Sequence, residues 1–287
     1  MSFILALVGF GLVAPIIGCL LAGLDRKITA RLQGRVGPPL LQPYYDVRKL
    51  LAKENVSVNR FQDFYIAMSL FLAILAGVMF FAGGNFLLVV FLITLSTLFL
   101  IVAAYSSRSP FAEIGAEREI IQVMSYEPLV ILMTIAYFLA VRTFDVGAVF
   151  GLSQPIIVSL PLVFIAFLFV LTIKLRKSPF DLSYSHHAHQ ELVKGITTEM
   201  SGKTLAMVEV THWYENVLFM SWVGLFFVWG SWIGILVAVI VALTIYFLEI
   251  LIDSNFARVK WQAMLKWSWL VTLVFCTINI VVLIMVS

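Results

Sequence analysis

The sequence predicts an all-α integral membrane protein with about eight transmembrane helices, both termini outside, and an amphipathic helix on the cytoplasmic side. Of its 287 residues, 62% are apolar and 12% are charged, whereas a soluble domain is typically about 25% charged. Residues 64–107 and 216–248 contain no Asp, Glu, Lys or Arg. The first of these stretches has 44 residues, enough for two crossings of a ~30 Å hydrocarbon core. A third observation, the distribution of basic residues, predicts the orientation.

The chain is predicted to form a single membrane domain, 1–287. Gly83-Gly84-Asn85 and the region of Gly230-Ser231 suit tight turns, so they divide the two uncharged stretches into helical hairpins. The first apolar run is predicted to be a retained helix, because no Lys or Arg precedes it as in a cleavable signal. The predicted spans are 3–24, 64–82, 86–106, 120–141, 156–175, 206–229, 232–252 and 267–286.

Basic residues fall almost entirely between alternate spans. Counted with Lys174, four loops hold 18 of the 19 Lys and Arg residues, and only Arg142 lies on the other side. Cytoplasmic loops carry such an excess, so these loops are predicted to be cytoplasmic and the protein to be a multi-pass protein of the cell membrane. Their length and polarity predict docking of cytoplasmic partners. The four loops are 25–63, 107–119, 176–205 and 253–266.

The loop after the first span predicts a docking surface. Glycines and prolines at 34–39 break the helix, and apolar residues spaced along 44–51 then predict a short amphipathic helix in the membrane interface. A simple positive-inside anchor is the alternative interpretation. The residues predicted to dock peripheral subunits lie here and in the loop 176–205: Arg26, Arg31, Arg35, Asp46, Lys53, Asp181, His187 and His189.

Carboxylates in or near apolar helices are candidates for an ion pathway. Glu127 precedes Pro128, which cannot donate to the carbonyl of Met124 and favours a kink there. A charged group at membrane depth costs roughly 2.5–3.5 kcal/mol on insertion scales, and such groups serve ion pathways or structural pairs. A solvated surface is the alternative for the pair Glu113 and Glu117, which lie four residues apart.

His212 lies three residues from both Glu209 and Glu215, so all three share one helix face. This seam predicts a proton relay, and a mutually satisfied buried network is the alternative. Glu249 and Asp253, by contrast, are predicted to lie at a solvated helix end. Glu127, Glu209, His212 and Glu215 are thus the candidates that local sequence features suggest for an ion pathway.

No catalytic, cofactor-binding or metal-binding residue is predicted in this chain. Its two cysteines, Cys19 and Cys276, cannot hold an iron–sulfur cluster or a cysteine-type zinc site. Three histidines between 186 and 189 lack the spacing of a metalloprotease site. The chain is therefore not expected to carry electrons itself.

Several motifs occur together in order along nearly the whole chain. They are Arg31, Gln33 and Arg35-Val36-Gly37-Pro38 with "LLQP" and Lys53-Glu54, then Ser125-Tyr126-Glu127, then "SPFDL" and "QELVKGITTEMSG". In these motifs the chain resembles the H-subunit (subunit one) family of respiratory complex I. Two departures, a shortened Gly-Pro segment and "SYSHHAHQE" in place of an acidic run, resemble the energy-converting nickel–iron hydrogenase branch, closest to the B-subunit of Ech hydrogenase.

The resemblance implies a non-catalytic membrane subunit of a hydrogenase complex that couples ferredoxin-dependent proton reduction to H⁺ or Na⁺ translocation. Implied partners are the hydrogenase large and small subunits, a ferredoxin-like iron–sulfur subunit, an antiporter-like membrane subunit and membrane lipid. The nickel–iron centre and iron–sulfur clusters would lie in those partners. The resemblance also implies an ion pathway beneath them, to which the seam residue His212 is added: Glu113, Glu117, Glu127, Glu191, Glu199, Glu209, His212 and Glu215. Alternatives are a quinone-site subunit of a complex I-type dehydrogenase, a formate-linked hydrogenase and a stand-alone secondary transporter.

Overall fold

The computed structural model describes residues 3–54, 59–180, 183 and 194–286, and within these ranges it contains helices and no β-strand. The last helix, over 261–286, contains a π-helical segment over 272–276. The helices are α1 (Phe3–Leu32), α2 (Gln42–Ala52), α3 (Arg60–Phe81), α4 (Phe86–Tyr105), α5 (Pro110–Val141), α6 (Pro161–Lys174), α7 (Gly202–Leu225), α8 (Trp232–Asn255), α9 (Trp261–Val271) and α10 (Thr277–Val286).

Six helices are long and apolar enough to cross a membrane: α1, α3, α4, α5, α8 and the continuous helix over 261–285. The predicted spans 156–175 and 206–229 correspond to α6 and α7. α6 has only 14 residues and begins at Pro161. Proline disfavours helical backbone in the residue before it, which here is Leu160. α7 carries several polar side chains. The number of crossings, eight, and the location of both termini on the outside both stay predictions.

The helix ends lie in two groups, one at each end of the bundle. Within each group, hydrogen bonds or ion pairs join segments that are distant in the sequence. We call the end that carries the four loops rich in Lys and Arg the basic face. There, the backbone N–H of Val259 donates to the carbonyl of Pro179, and Lys177 forms an ion pair with Asp25. At the other end, the N–H of Phe86 donates to the carbonyl of Phe144. The basic loops thus lie together.

Two helices extend further toward the basic face than the predicted spans. α1 continues to Leu32, and glycines with positive φ follow it at Gly34 and Gly37, where residues other than glycine are strained. α5 begins at Pro110, a residue preorganised for the first helical position. Glu113 and Glu117 therefore lie on a helix instead of in a loop.

α7 lies at the centre of the bundle. It packs against α1, α2, α3 and α8, and 17 of its 24 residues are buried. In α8, which also has 24 residues, only six are buried. A central helix is shielded from lipid by its neighbours, which lets α7 carry polar residues at membrane depth.

Pro128 does not interrupt α5, which is continuous from Pro110 to Val141. The carbonyl of Met124, which a proline cannot bond, accepts instead from the indole Nε1–H of Trp269 at 3.0 Å. The next carbonyl, of Ser125, accepts from the hydroxyl of Ser268. A proline is tolerated in a membrane helix when neighbouring helices satisfy the carbonyls that it leaves free.

Gly115 allows close packing of α5 against residues 195–197. A methyl group there would overlap the backbone of Gly195 and Ile196. We expect Gly115→Ala to lower the free energy of unfolding by about 1–3 kcal/mol through overpacking, measured by thermal unfolding in detergent. Gly9→Ala is the control, because nothing lies within 4 Å of an added methyl group at Gly9. Equal stability of the two variants would contradict the packing described.

Candidate functional site

A buried cluster of charged side chains joins α5, α7 and the residues that follow α6. Its centre is Arg176, whose guanidinium lies 3.3 Å from Glu119 Oε1 and 3.6 Å from Glu215 Oε2. Only 14% of the Arg176 side chain is exposed, and the two carboxylates are 4% and 7% exposed. A buried cation between two buried anions compensates both of them, and removing it would leave their charge unpaired.

Two polar residues extend this cluster. Nδ1 of His212, one turn before Glu215 on α7, lies 3.1 Å from Glu215 Oε2, and the ring contacts the Arg176 guanidinium. On the other side, the hydroxyl of Ser183 donates to Glu119 Oε2 and to Gln122 Oε1. The network therefore runs without a gap from α7 through Arg176 to α5.

A second cation, Lys174, lies deeper. Its side chain is buried, and its Nζ is 3.5 Å from the centre of the Tyr126 ring. The Lys174 ammonium interacts electrostatically with Glu127, Glu215 and Glu119. A cation over an aromatic face is attracted by the ring quadrupole, so Tyr126 holds Lys174 between the carboxylates.

Glu127, which the sequence singled out, lies at the far end of this arrangement. It is half-buried on α5. Both of its carboxylate oxygens accept from the hydroxyl of Thr94 on α4, at 2.9 and 3.0 Å. Glu127 therefore has a hydrogen-bond donor from α4 and a cation from α6.

A polar cavity lies inside the cluster. The volume of the cavity that the centre of a water molecule can occupy is about 10 Å³. This is enough for about one ordered water. Its lining residues are Thr97, Glu119, Gln122, Tyr126, Ile173, Lys174, Arg176, Glu215 and Phe219. Carboxylates, an imidazole and a water within hydrogen-bonding reach can pass protons between them, and the two cations hold this negative charge in the bundle.

Only part of the predicted ion-pathway set lies in the cluster. Glu127, His212 and Glu215 belong to it. Glu113 and Glu117 are exposed on the opposite face of α5, and the prediction Glu191 lies outside the described residues. Glu199 and Glu209 are half-buried, and no hydrogen bond or ion pair to another described residue joins either to the cluster.

Five of the predicted docking residues lie along the basic face. Arg26 and Asp46 pair with each other at 2.6 Å, which joins α1 to α2. This exposed bridge contributes at most about 1 kcal/mol. Arg31, Arg35 and Lys53 are exposed. The other three predicted docking residues lie outside the described ranges: Asp181, His187 and His189.

Sequence reasoning missed Glu119, Arg176 and Lys174 as site residues. A signal for Glu119 was present, because small residues precede it at intervals of three and four, at Gly115 and Ala116. That spacing marks the buried face of α5. The two cations had been interpreted only as positive-inside charges. The prediction of no metal site stays untested, although the described residues contain no group of three His, Cys, Asp or Glu side chains that could hold a metal.

A model of the NADH dehydrogenase family matches residues 4–284. The chain belongs to this family. The resemblance to complex I subunit one and its hydrogenase branch is therefore confirmed at the level of the whole chain. This chain is a membrane subunit of the class of complexes that includes complex I-like and hydrogenase-type complexes.

Three relatives illustrate the range of the family. The family member described here is 28% identical to hydrogenase-4 component C of Escherichia coli (strain K12), over 88% of this chain and 87% of that protein. It is 27% identical to the H-subunit of the NADH-quinone oxidoreductase of Syntrophotalea carbinolica, over 98% and 96%. A chain of the membrane-bound sulfane sulfur reductase (MBS), an archaeal respiratory membrane complex, superposes with a TM-score of 0.88 at 25% identity, over 99% of this chain and all of that chain.

Proposed function

We propose that this chain is the membrane anchor and ion-pathway subunit of an energy-converting nickel–iron hydrogenase. Ferredoxin-dependent reduction of protons to hydrogen, in partner subunits, would drive translocation of H⁺ or Na⁺. The buried charge cluster around Arg176, beneath the basic face, carries the ion-pathway part of this proposal, and the likeness to hydrogenase-4 component C supports the hydrogenase part. Charged groups inside a membrane bundle serve ion pathways more often than structure alone.

The partners follow from the surfaces that would meet them. The hydrogenase large and small subunits and a ferredoxin-like iron–sulfur subunit would dock on the basic face, which would face the cytoplasm across the cell membrane. An antiporter-like membrane subunit would continue the ion pathway. The nickel–iron centre and iron–sulfur clusters would belong to the docked subunits, and this chain would hold no cofactor.

Two relatives favour other electron acceptors. The sulfane sulfur reductase supports a sulfur-reducing complex, and the NADH-quinone oxidoreductase relative supports a quinone site. The polar cavity itself is too small for a quinone, because its free space is that of about one water. In both alternatives the charge cluster would serve the same ion pathway.

The proposal is tested by purifying the chain from its native membrane in mild detergent with its bound partners. We expect nickel and iron in the preparation and hydrogen evolution from reduced ferredoxin. Sulfide release from a sulfane sulfur substrate, or quinone reduction without nickel, would instead establish one of the other two acceptors. A chain that purifies alone, without metal, and moves a solute would contradict the assignment to a complex.

Glu127 and Glu199 test the ion pathway separately from the electron acceptor. Glu127→Gln and Glu199→Gln keep the side-chain shape but remove the charge, so we expect an assembled complex with slowed turnover or lost ion uptake. Proton or ²²Na⁺ uptake into reconstituted vesicles is compared with the rate of electron transfer. Normal uptake in both variants would contradict the ion-pathway role.

A further inference from the structure

A second buried group of charges lies where α1, α6 and α8 meet, separate from the cluster around Arg176. Its deepest member is Glu249 on α8, which is only 3% exposed. Sequence reasoning predicted a solvated helix end here, and that prediction is wrong, because the inward face of α8 packs against the bundle at this position. A buried carboxyl group therefore remains that the proposed ion pathway does not use.

The two oxygens of Glu249 have different surroundings. Oε1 accepts from the hydroxyl of Thr172 on α6 at 3.3 Å. Oε2 is fully buried and has no hydrogen-bond partner among the described residues. A buried carboxylate with an unpaired oxygen is costly, and such a group gains stability by binding a cation or a proton.

A partly exposed carboxylate lies near Glu249. Asp253 lies one turn further along α8 with 30% of its side chain exposed, and Lys177 Nζ is 3.4 Å from its carboxylate. Lys177 also pairs with Asp25 of α1. Lys177 and Asp253 are close enough to affect Glu249 electrostatically. Exposure thus rises from Glu249 to Asp253 at the basic face.

The same charges hold the start of the loop 176–205. The backbone N–H of Ser178 donates to Asp253 Oδ1 at 2.8 Å. With every carboxyl ionised, the negative charges of Asp25, Glu249 and Asp253 would surround the cation Lys177. A proton on Glu249 removes one of them, so its presence changes the charge balance around the cation that links α1 and α8 to this loop.

The surroundings of Glu249 favour a proton over a metal ion. A metal cation such as Na⁺ or Ca²⁺ needs several oxygen ligands, and within the described ranges no group of three acidic, histidine or cysteine side chains is arranged to hold one. A proton needs only the unpaired oxygen itself.

We propose that Glu249 is a proton-binding site that exchanges with the basic face past Asp253 and Lys177. The site is separate from the proposed ion pathway and stands on the geometry of this chain alone. No partner subunit and no particular electron acceptor is required for it. Proton binding to Glu249 would reduce the negative charge near Lys177, where the loop 176–205 begins.

The test is pH-dependent infrared difference spectroscopy of the purified complex. We expect a protonated-carboxyl C=O band that disappears as the pH is raised and that is absent in Glu249→Gln. Thr172→Val keeps the carboxyl but removes its hydrogen-bond donor, so the band should move to higher frequency. This second variant keeps the test decisive if Glu249→Gln does not assemble.

Two outcomes would overturn the proposal. One is a pH difference spectrum that is the same in wild type and in both variants, because Glu249 would then exchange no proton. The other is loss of the band at constant pH when NaCl replaces choline chloride, which would identify a metal-cation site. Both readings come from the carboxyl group, so they remain informative whether or not the complex evolves hydrogen.

Discussion

Arg176→Gln is expected to lower the free energy of unfolding by about 3–5 kcal/mol, the cost of leaving buried charges without their partner. Glu119 and Glu215 would keep their negative charges in the bundle, with side chains 4% and 7% exposed. Glutamine can replace one hydrogen bond but not the positive charge. Thermal unfolding of the complex in detergent at neutral pH measures the loss.

The deficit of Arg176→Gln should shrink as the pH falls. A proton that binds to Glu215 removes a charge that the arginine had compensated, so acid relieves the variant more than the wild type. Arg108→Gln is a matched control, because both arginines have positive φ, 53° and 54°, and Arg108 is exposed. A similar loss in both variants would place the cause in the backbone instead of the charge cluster.

Glu119→Gln is expected to reduce coupled ion uptake by on the order of 100-fold, the lower end of what a positioned proton-transfer group contributes. Glu119 bonds both Arg176 and Ser183, so it connects the cation to the cavity. Uptake into reconstituted vesicles is measured against the electron-transfer rate.

Glu117→Gln separates this prediction from the one that the sequence alone makes. Glu117 lies on the same helix, two residues earlier, but on the exposed face, so we expect a much smaller loss of uptake than in Glu119→Gln. A larger loss in Glu117→Gln than in Glu119→Gln would favour the sequence-based pathway and would contradict the role given to the buried cluster.

The helices of this protein follow closely from local properties of the sequence. Gly83-Gly84-Asn85 ends α3 and begins α4 as predicted, because uncharged apolar runs must satisfy their backbone groups within helices in a bilayer. The errors lie at the basic face, where α1 and α5 continue beyond their apolar segments, and at the opposite end of α6, which begins at Pro161 instead of residue 156. The apolar pattern of the sequence predicts only the part of a helix that lies in the membrane. It does not predict where the helix ends when it continues into water.

The candidate site could be predicted only in part. Glu127 and the pair His212 and Glu215 were found, because each shows a local signal: a carboxyl beside a proline in an apolar run, or polar residues three apart on one helix. Glu119 and Arg176 were missed because these two partners lie 57 residues apart in the chain. No spacing rule joins groups at that separation.

The sequence by itself determined that the chain crosses the membrane as helices, which face is basic and to which family it belongs. Only the tertiary structure decided which charges meet. Glu113, Glu117 and Glu119 have the same chemistry and nearly the same position in the sequence, yet only Glu119 is turned toward Arg176. The rotation of α5 and the packing of its small residues against 195–197 set that difference, and both depend on contacts between distant parts of the chain.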